Sequence, residues 1–192
     1  MDINEVLFIY INQHLQNPVL DMIMPGITYL GGFIILILVV IALIIFAHMT
    51  RRQTLKRVAV LALIALLFSD LIAVFLKNFV HEPRPFMTLS NVHLIVTEND
   101  PNSFPSGHAT STLAVVSIFL LNMHDLAKRH HVIIDIALVV FAVIIMFSRV
   151  YCGVHYPFDV LAGALIGIFG ALVVNHFSDK IFSILKFIRG KI

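Results

Sequence analysis

Charge is scarce in this chain. Only 12% of its 192 residues are Asp, Glu, Lys or Arg, whereas 59% are hydrophobic, and the mean hydropathy is +0.97. That balance excludes an ordinary soluble domain and describes an integral membrane protein. Cysteine is almost absent: Cys152 stands alone, so no internal disulfide can form, and the redox compartment is left open. The first residues lack the basic character of a signal peptide and carry Asp2 and Glu5 instead, so no cleaved leader is expected. Internal repeats, low-complexity tracts and linkers are missing too, and the length suits one domain over residues 1–192.

What is present is long apolar runs. Residues 27–47, 58–76, 132–147 and 157–174 each approach the ~20 residues that cross a bilayer core at about 1.5 Å rise per residue. A fifth run, 107–123, is shorter and carries Thr110, Ser111, Thr112 and Ser117, so it is expected to lie tucked against its neighbours. The fold expected is therefore all-α, an integral membrane helical bundle of about five spans. Residues 3–15 have apolar positions at helical spacing (Ile3, Leu7, Tyr10, Ile11, His14, Leu15) and predict an interfacial helix before the first span. Asn17-Pro18 and Pro25-Gly26 punctuate the entry to that span. Residues 177–192 mix Phe, Ile and Leu with lysines and predict a second interfacial helix on the cytoplasmic side. Gly163 and Gly167 form a small-x-x-x-small pair, which lets another helix approach closely.

The placement of basic residues orients the bundle. Arg51, Arg52, Lys56 and Arg57 fall between spans one and two, Lys128 and Arg129 between three and four, and Lys180, Lys186, Arg189 and Lys191 after span five. All of these lie on one side. The remaining three, Lys77, Arg84 and Arg149, lie on the other, each within a short polar segment at a span end. The positive-inside rule puts those segments outside the cytoplasm and the C-terminus inside it, in a multi-pass protein of the cell membrane.

The segments are residues 77–85 (KNFVHEPRP), 105–108 (PSGH) and 148–159 (SRVYCGVHYPFD). In the first, Pro83 and Pro85 hold the chain extended around Arg84, so that Lys77 and Arg84 can converge on one oxyanion. Taken alone, Lys77 reads as a snorkelling side chain. In the second, Ser106 and Gly107 open a helix whose free N–H groups and dipole favour an anion, and His108 in its first turn can give a proton to a departing oxygen. Ser106 alone also reads as an ordinary N-cap. In the third, His155 and Asp159 stand four residues apart across Pro157, so Asp159 can accept one ring N–H and leave the other nitrogen free to attack. Such a pair by itself is more often structural. Clustered with Lys77, Arg84, Arg149 and His108 at a bundle end, it reads as catalytic.

Together the three segments resemble the signature of the type 2 phosphatidic acid phosphatase family: lysine, six residues, Arg-Pro; Pro-Ser-Gly-His; Ser-Arg, five residues, histidine, three residues, aspartate. Each position is filled in order between residues 77 and 159. The resemblance implies the acid phosphatase/vanadium-dependent haloperoxidase-like fold and hydrolysis of a phosphate ester or anhydride through a phosphohistidine, with no metal and no cofactor. It implies His155 as nucleophile, Asp159 as its orienting partner and His108 as general acid. It implies Lys77, Arg84, Ser106, Gly107 and Arg149 as the phosphate-binding set.

The expected partners are membrane lipids and a lipid phosphate or diphosphate substrate, with no nucleic acid. Small size and the short N-terminal helix resemble undecaprenyl-diphosphatase-like members, and phosphatidic acid or phosphatidylglycerophosphate is the alternative substrate. Haloperoxidase chemistry belongs to soluble relatives. A non-catalytic protein or a transporter retaining the fold is the reading from another class. Asp70, inside span two, is expected to face the bundle and meet a polar neighbour, and Cys152 to be a packed residue; His81 and Glu82 can shape the pocket mouth.

Overall fold

The computed structural model describes residues 2–189, and helices account for nearly all of its regular structure. Asp2 caps α1 (Ile3–Ile9) by accepting the Glu5 N–H at 2.8 Å, and a π-helical turn (Tyr10–His14) continues it. Phe8 and Asn12 face the bundle, whereas Ile3, Leu7 and Tyr10 of the expected apolar stripe point outward, as an interfacial helix requires.

The next element corrects the sequence reading. Pro18–Leu30 is a helix, α2, whose N-cap Asn17 accepts the Val19 N–H at 2.9 Å, and Pro25 lies inside it rather than ending it. It meets α3 (Phe33–Met49) at a bend of 57°. The expected first span at 27–47 is thus broken at Gly31-Gly32. A Cβ on Gly31 would collide with Ile145 and come within 2.8 Å of Thr112 Oγ1, so the corner fits against its neighbours because no side chain is there.

The remaining elements are α4 (Gln53–Val80), the short α5 (Pro85–Thr88), α6 (Gly107–Ala127), α7 (His131–Tyr151), α8 (Pro157–His176) and α9 (Ser178–Arg189). Four of these, α4, α6, α7 and α8, are long and apolar enough to cross a membrane, and the bent α2–α3 pair brings the number to five if it is one span. The chain is a multi-pass all-α membrane bundle. At 28 residues α4 is about 42 Å long, well beyond a ~30 Å hydrocarbon core, and Lys77 lies in its last turn.

The centre of the bundle is α6, with Thr110, Ser111 and Thr112 wholly buried. It packs on α8, where a Cβ on Gly163 would meet the Ser106 carbonyl, Thr110 Oγ1 and Ala109, and one on Gly167 would meet the Thr110 carbonyl. Asp70 of α4 does meet a polar neighbour, accepting from Ser111 Oγ at 3.3 Å. At the opposite end from the signature segments, Arg57 of α4 pairs with Asp179 of α9 at 2.5 Å and lies over the Phe182 ring. The expected C-terminal helix is present as α9; Gly190, Lys191 and Ile192, on which part of that expectation falls, lie outside the described residues.

Candidate active site

Every signature residue lies at one end of the bundle. The α8 N-terminus sets the central pair. Pro157 starts the helix, and Asp159 at its third position turns Oδ2 back to accept the Tyr156 N–H at 2.8 Å, which fixes the carboxylate. His155 Nδ1 lies 3.4 Å from that same oxygen. Arg84 Nη1 lies 3.2 Å from His155 Nε2, and because a guanidinium only donates, Nε2 must be the accepting nitrogen and Nδ1 must carry the proton.

Ser103 completes this arrangement and was not foreseen. Its wholly buried hydroxyl donates to Asp159 Oδ2 at 2.5 Å and lies 3.4 Å from His155 Nδ1. It comes from the long loop between α5 and α6, residues 89–106, just before the Pro-Ser-Gly-His segment. Its only sequence signal was its position beside that segment.

The loop is held from both sides. Asn12 donates to the carbonyls of His93 and Tyr151 at 2.9 Å each and accepts the His93 N–H. Asp21 accepts from Tyr151 Oη at 2.5 Å and from His93 Nε2 at 3.0 Å. At the far end the Ser103 N–H donates to the Glu82 carbonyl at 2.7 Å.

The cations surround His155. Arg84 is 1% exposed, and it donates through Nη1 to the Val154 carbonyl at 2.8 Å and through Nε to the Asp100 carbonyl at 2.5 Å. Arg149 donates to Thr28 Oγ1 and to Glu98 Oε2, each at 2.9 Å. Lys77 Nζ is 2.6 Å from Asp100 Oδ2 and 3.0 Å from the Asn102 carbonyl. Burial, followed by the positive charges of Arg149, Arg84 and Lys77, pushes the His155 ring well below its ordinary titration range, so it is neutral.

Ser106 stands at the N-cap of α6, yet its hydroxyl caps nothing: the wholly buried Oγ has no hydrogen-bond partner among the described residues, and neither do Arg149 Nε and Asp159 Oδ1. Three orphaned polar atoms at one end of a bundle mark a place built for a polar ligand. The adjacent backbone Ser106 N–H donates to the Asp159 carbonyl at 3.0 Å, tying α6 to α8. His108 sits one residue into α6, partly buried, with its Nε2 against the Gly31-Gly32 corner, 3.5 Å from where a Cβ on Gly32 would lie.

Cys152 is buried, and burial pushes its thiol up to about 11, as expected of a packed residue. Glu82 lines a small recess with Asp2, Asn4, Glu5, Thr88 and Tyr156, and burial followed by Asp159 and Asp2 raises its carboxyl. A cavity of about 950 Å³ contains none of the signature residues. It is an apolar groove between α3, α6 and α7, running from Leu30 past Val40 and Phe119 to Arg52.

Fold and site together describe a helical membrane bundle that gathers three cations near a buried histidine at one end. The chain belongs to the PAP2 superfamily, which it matches over residues 58–183, and it is a membrane phosphatase. It is 30% identical over 164 residues to the undecaprenyl-diphosphatase BcrC of Bacillus subtilis, covering 85% of this chain and 78% of that one. It is also 30% identical over 162 residues to the bacitracin transport permease protein BcrC of Bacillus licheniformis, covering 84% and 74%. The crystal structure of a transmembrane PAP2-type phosphatidylglycerolphosphate phosphatase from Bacillus subtilis superposes with a TM-score of 0.74 at 30% identity, over 93% of this chain and 85% of that one.

Proposed function

We propose that this phosphatase removes a terminal phosphate from a polyprenyl diphosphate of the undecaprenyl type, or from another lipid phosphate, at the extracytoplasmic face through a phosphohistidine. The observation that carries the reading is the neutral His155, held by Asp159 and Ser103 in the middle of Lys77, Arg84 and Arg149. In the first step His155 Nε2 attacks phosphorus, the bond to the leaving oxygen breaks, and His108 supplies the proton that oxygen needs. Lys77, Arg84, Arg149 and the Ser106–Gly107 helix start stabilise charge on the phosphoryl oxygens. In the second step water attacks phosphorus and gives a proton to His108, the bond from Nε2 to phosphorus breaks, inorganic phosphate leaves, and both imidazoles are returned to their starting forms. Asp159 keeps the tautomer correct throughout.

The substrate class rests on the activities for which the relatives are named and on depth. Lys77 emerges at the polar layer, where a lipid phosphate lies, and the apolar groove passes beside the Gly31-Gly32 corner against His108. The outward orientation rests on the basic loops at the other end, Arg51 to Arg57 and Lys128-Arg129. The relative named as a transport permease favours a second reading, in which the bundle moves a solute past Asp70. One assay separates the two. Detergent-solubilised protein is offered polyprenyl diphosphates and glycerolipid phosphates in excess EDTA, and phosphate release is measured. Release is expected, fastest on the diphosphate and blocked by vanadate; absence of release from every lipid with or without Mg²⁺ would leave the transport reading standing.

A further inference from the structure

All three cations that surround His155 are already paired with acids from a single loop segment. Glu98 Oε2 accepts from Arg149 Nη2 at 2.9 Å and lies 3.8 Å from Arg84 Nη2. Asp100 Oδ2 lies 2.6 Å from Lys77 Nζ and 3.8 Å from the same Arg84 nitrogen. The two carboxylates therefore bridge the three cations as the oxygens of a multiply charged anion would. They also sit on the outer side: Arg84 and Arg149 are 1% and 3% exposed, against 24% for Glu98 and 40% for Asp100.

The backbone around them is fastened on either side and at Asp100, whose carbonyl accepts from Arg84 Nε at 2.5 Å. On one side His93 is pinned by Asn12 and Asp21, and Ile95 N–H reaches the Cys152 carbonyl at 3.4 Å. On the other, Asn102 pairs with Pro83 and Ser103 with Glu82. From Val96 to Asn99 no backbone group is hydrogen-bonded among the described residues. Apart from Val96, which is packed in an apolar cluster, what holds the middle of the segment down is its charges.

We propose that residues 96–101 are an internal strap that occupies the phosphate cradle of the free enzyme with Glu98 and Asp100 and is expelled when a phosphate group binds. The inference rests on the phosphatase reading given above. In the free state the strap's two carboxylates offset two of the three positive charges of cations, two of them buried, which would otherwise repel one another more strongly. On turnover it competes with inorganic phosphate for the same donors and so hastens product release. Its thermodynamic signature is specific. If only a fraction of molecules has the strap lifted, every ligand of the cradle binds more weakly by that one fraction, whatever its own affinity. Weakening the strap must then tighten all such ligands by a common factor.

The test is a binding series on the full-length protein in detergent, with orthovanadate and inorganic phosphate as probes, for wild type, Glu98→Gln, Asp100→Asn and the double variant. Each neutral amide keeps the size of the acid and loses one charge-assisted contact, so a gain on the order of tenfold per substitution is expected, equal for the two probes. Two results would overturn the strap: affinities that fall, which would make the acids permanent supports of Arg149 and Lys77, or affinities that change by unequal factors, which would make them direct contacts of the ligand. Unchanged affinities overturn it as well. Should Glu98→Gln fail to fold, Asp100→Asn carries the same expectation at Lys77. Because the readout is binding, it stands apart from the lipid assay: a wild type that hydrolyses no lipid phosphate sinks the phosphatase reading, whereas a hydrolysing enzyme with unmoved affinities sinks only the strap.

Discussion

A histidine at ordinary titration would be half protonated near neutrality and poor as a nucleophile. His155 is placed otherwise: burial comes first, and then Arg149, Arg84 and Lys77 crowd the ring with positive charge, all of which disfavour imidazolium. A lowered folded-state value means that the neutral, attacking form survives as pH falls through the usual 6.5 and is lost only well below it. Nitrogen NMR of the His155 ring, assigned by difference from His155→Gln, is expected to show the neutral Nδ1–H tautomer still in place as pH falls past the ordinary histidine range. A ring that titrates in the ordinary range would contradict the geometry at Arg84. At this scale the residues gathered at one end of the bundle, His155 and Asp159, Lys77 and Arg84, Ser106 and His108, were named from three polar segments and the family signature they resemble, whereas each spacing taken alone also read as structural. Ser103, Glu98 and Asp100 were not legible, because their partners are 52, 51 and 23 residues away in sequence and no periodicity links a loop to a distant helix end.

Among the elements, the joint between α6 and α8 has the most direct bearing on the site. The Ser106 carbonyl sits where a Gly163 Cβ would be, so the α6 start that presents Ser106, Gly107 and His108 is seated directly on a glycine. Gly163→Ala must push that start away, and overpacking of this kind costs about 1–3 kcal/mol. Gly26 in α2 has nothing within 4 Å of its missing Cβ, so Gly26→Ala adds the same methyl group harmlessly and favours the helix. Thermal unfolding and vanadate affinity are expected to fall together in Gly163→Ala and to hold in Gly26→Ala; equal behaviour of the two variants would deny the joint its role. Length and hydropathy were enough to find α4, α6, α7 and α8 to within a few residues. They misread the start of the bundle, where Pro25 was taken as punctuation although it lies inside α2, and where an uninterrupted apolar run hid the corner at Gly31-Gly32. That bend is set by contact with Ile145 and Thr112, which hydropathy cannot report.

Across the whole molecule, charge is segregated by purpose. One end carries Arg57 paired with Asp179 in the open, along with the basic loops. The other carries Lys77, Arg84 and Arg149, shielded and aimed at one histidine. The PAP2 match over residues 58–183 covers all three signature segments at that end. The central claim is that the phosphoryl group passes through this one side chain on its way to water. Rapid alkaline quenching of the His108→Ala variant during turnover of a nitrophenyl phosphate, whose leaving group needs no proton, followed by intact-protein mass spectrometry and fragmentation, tests it directly. One phosphoryl group per chain, located on His155 and absent from His155→Ala, is the result expected; turnover with no phosphorylated chain, or with the phosphoryl group on any other residue, would contradict it.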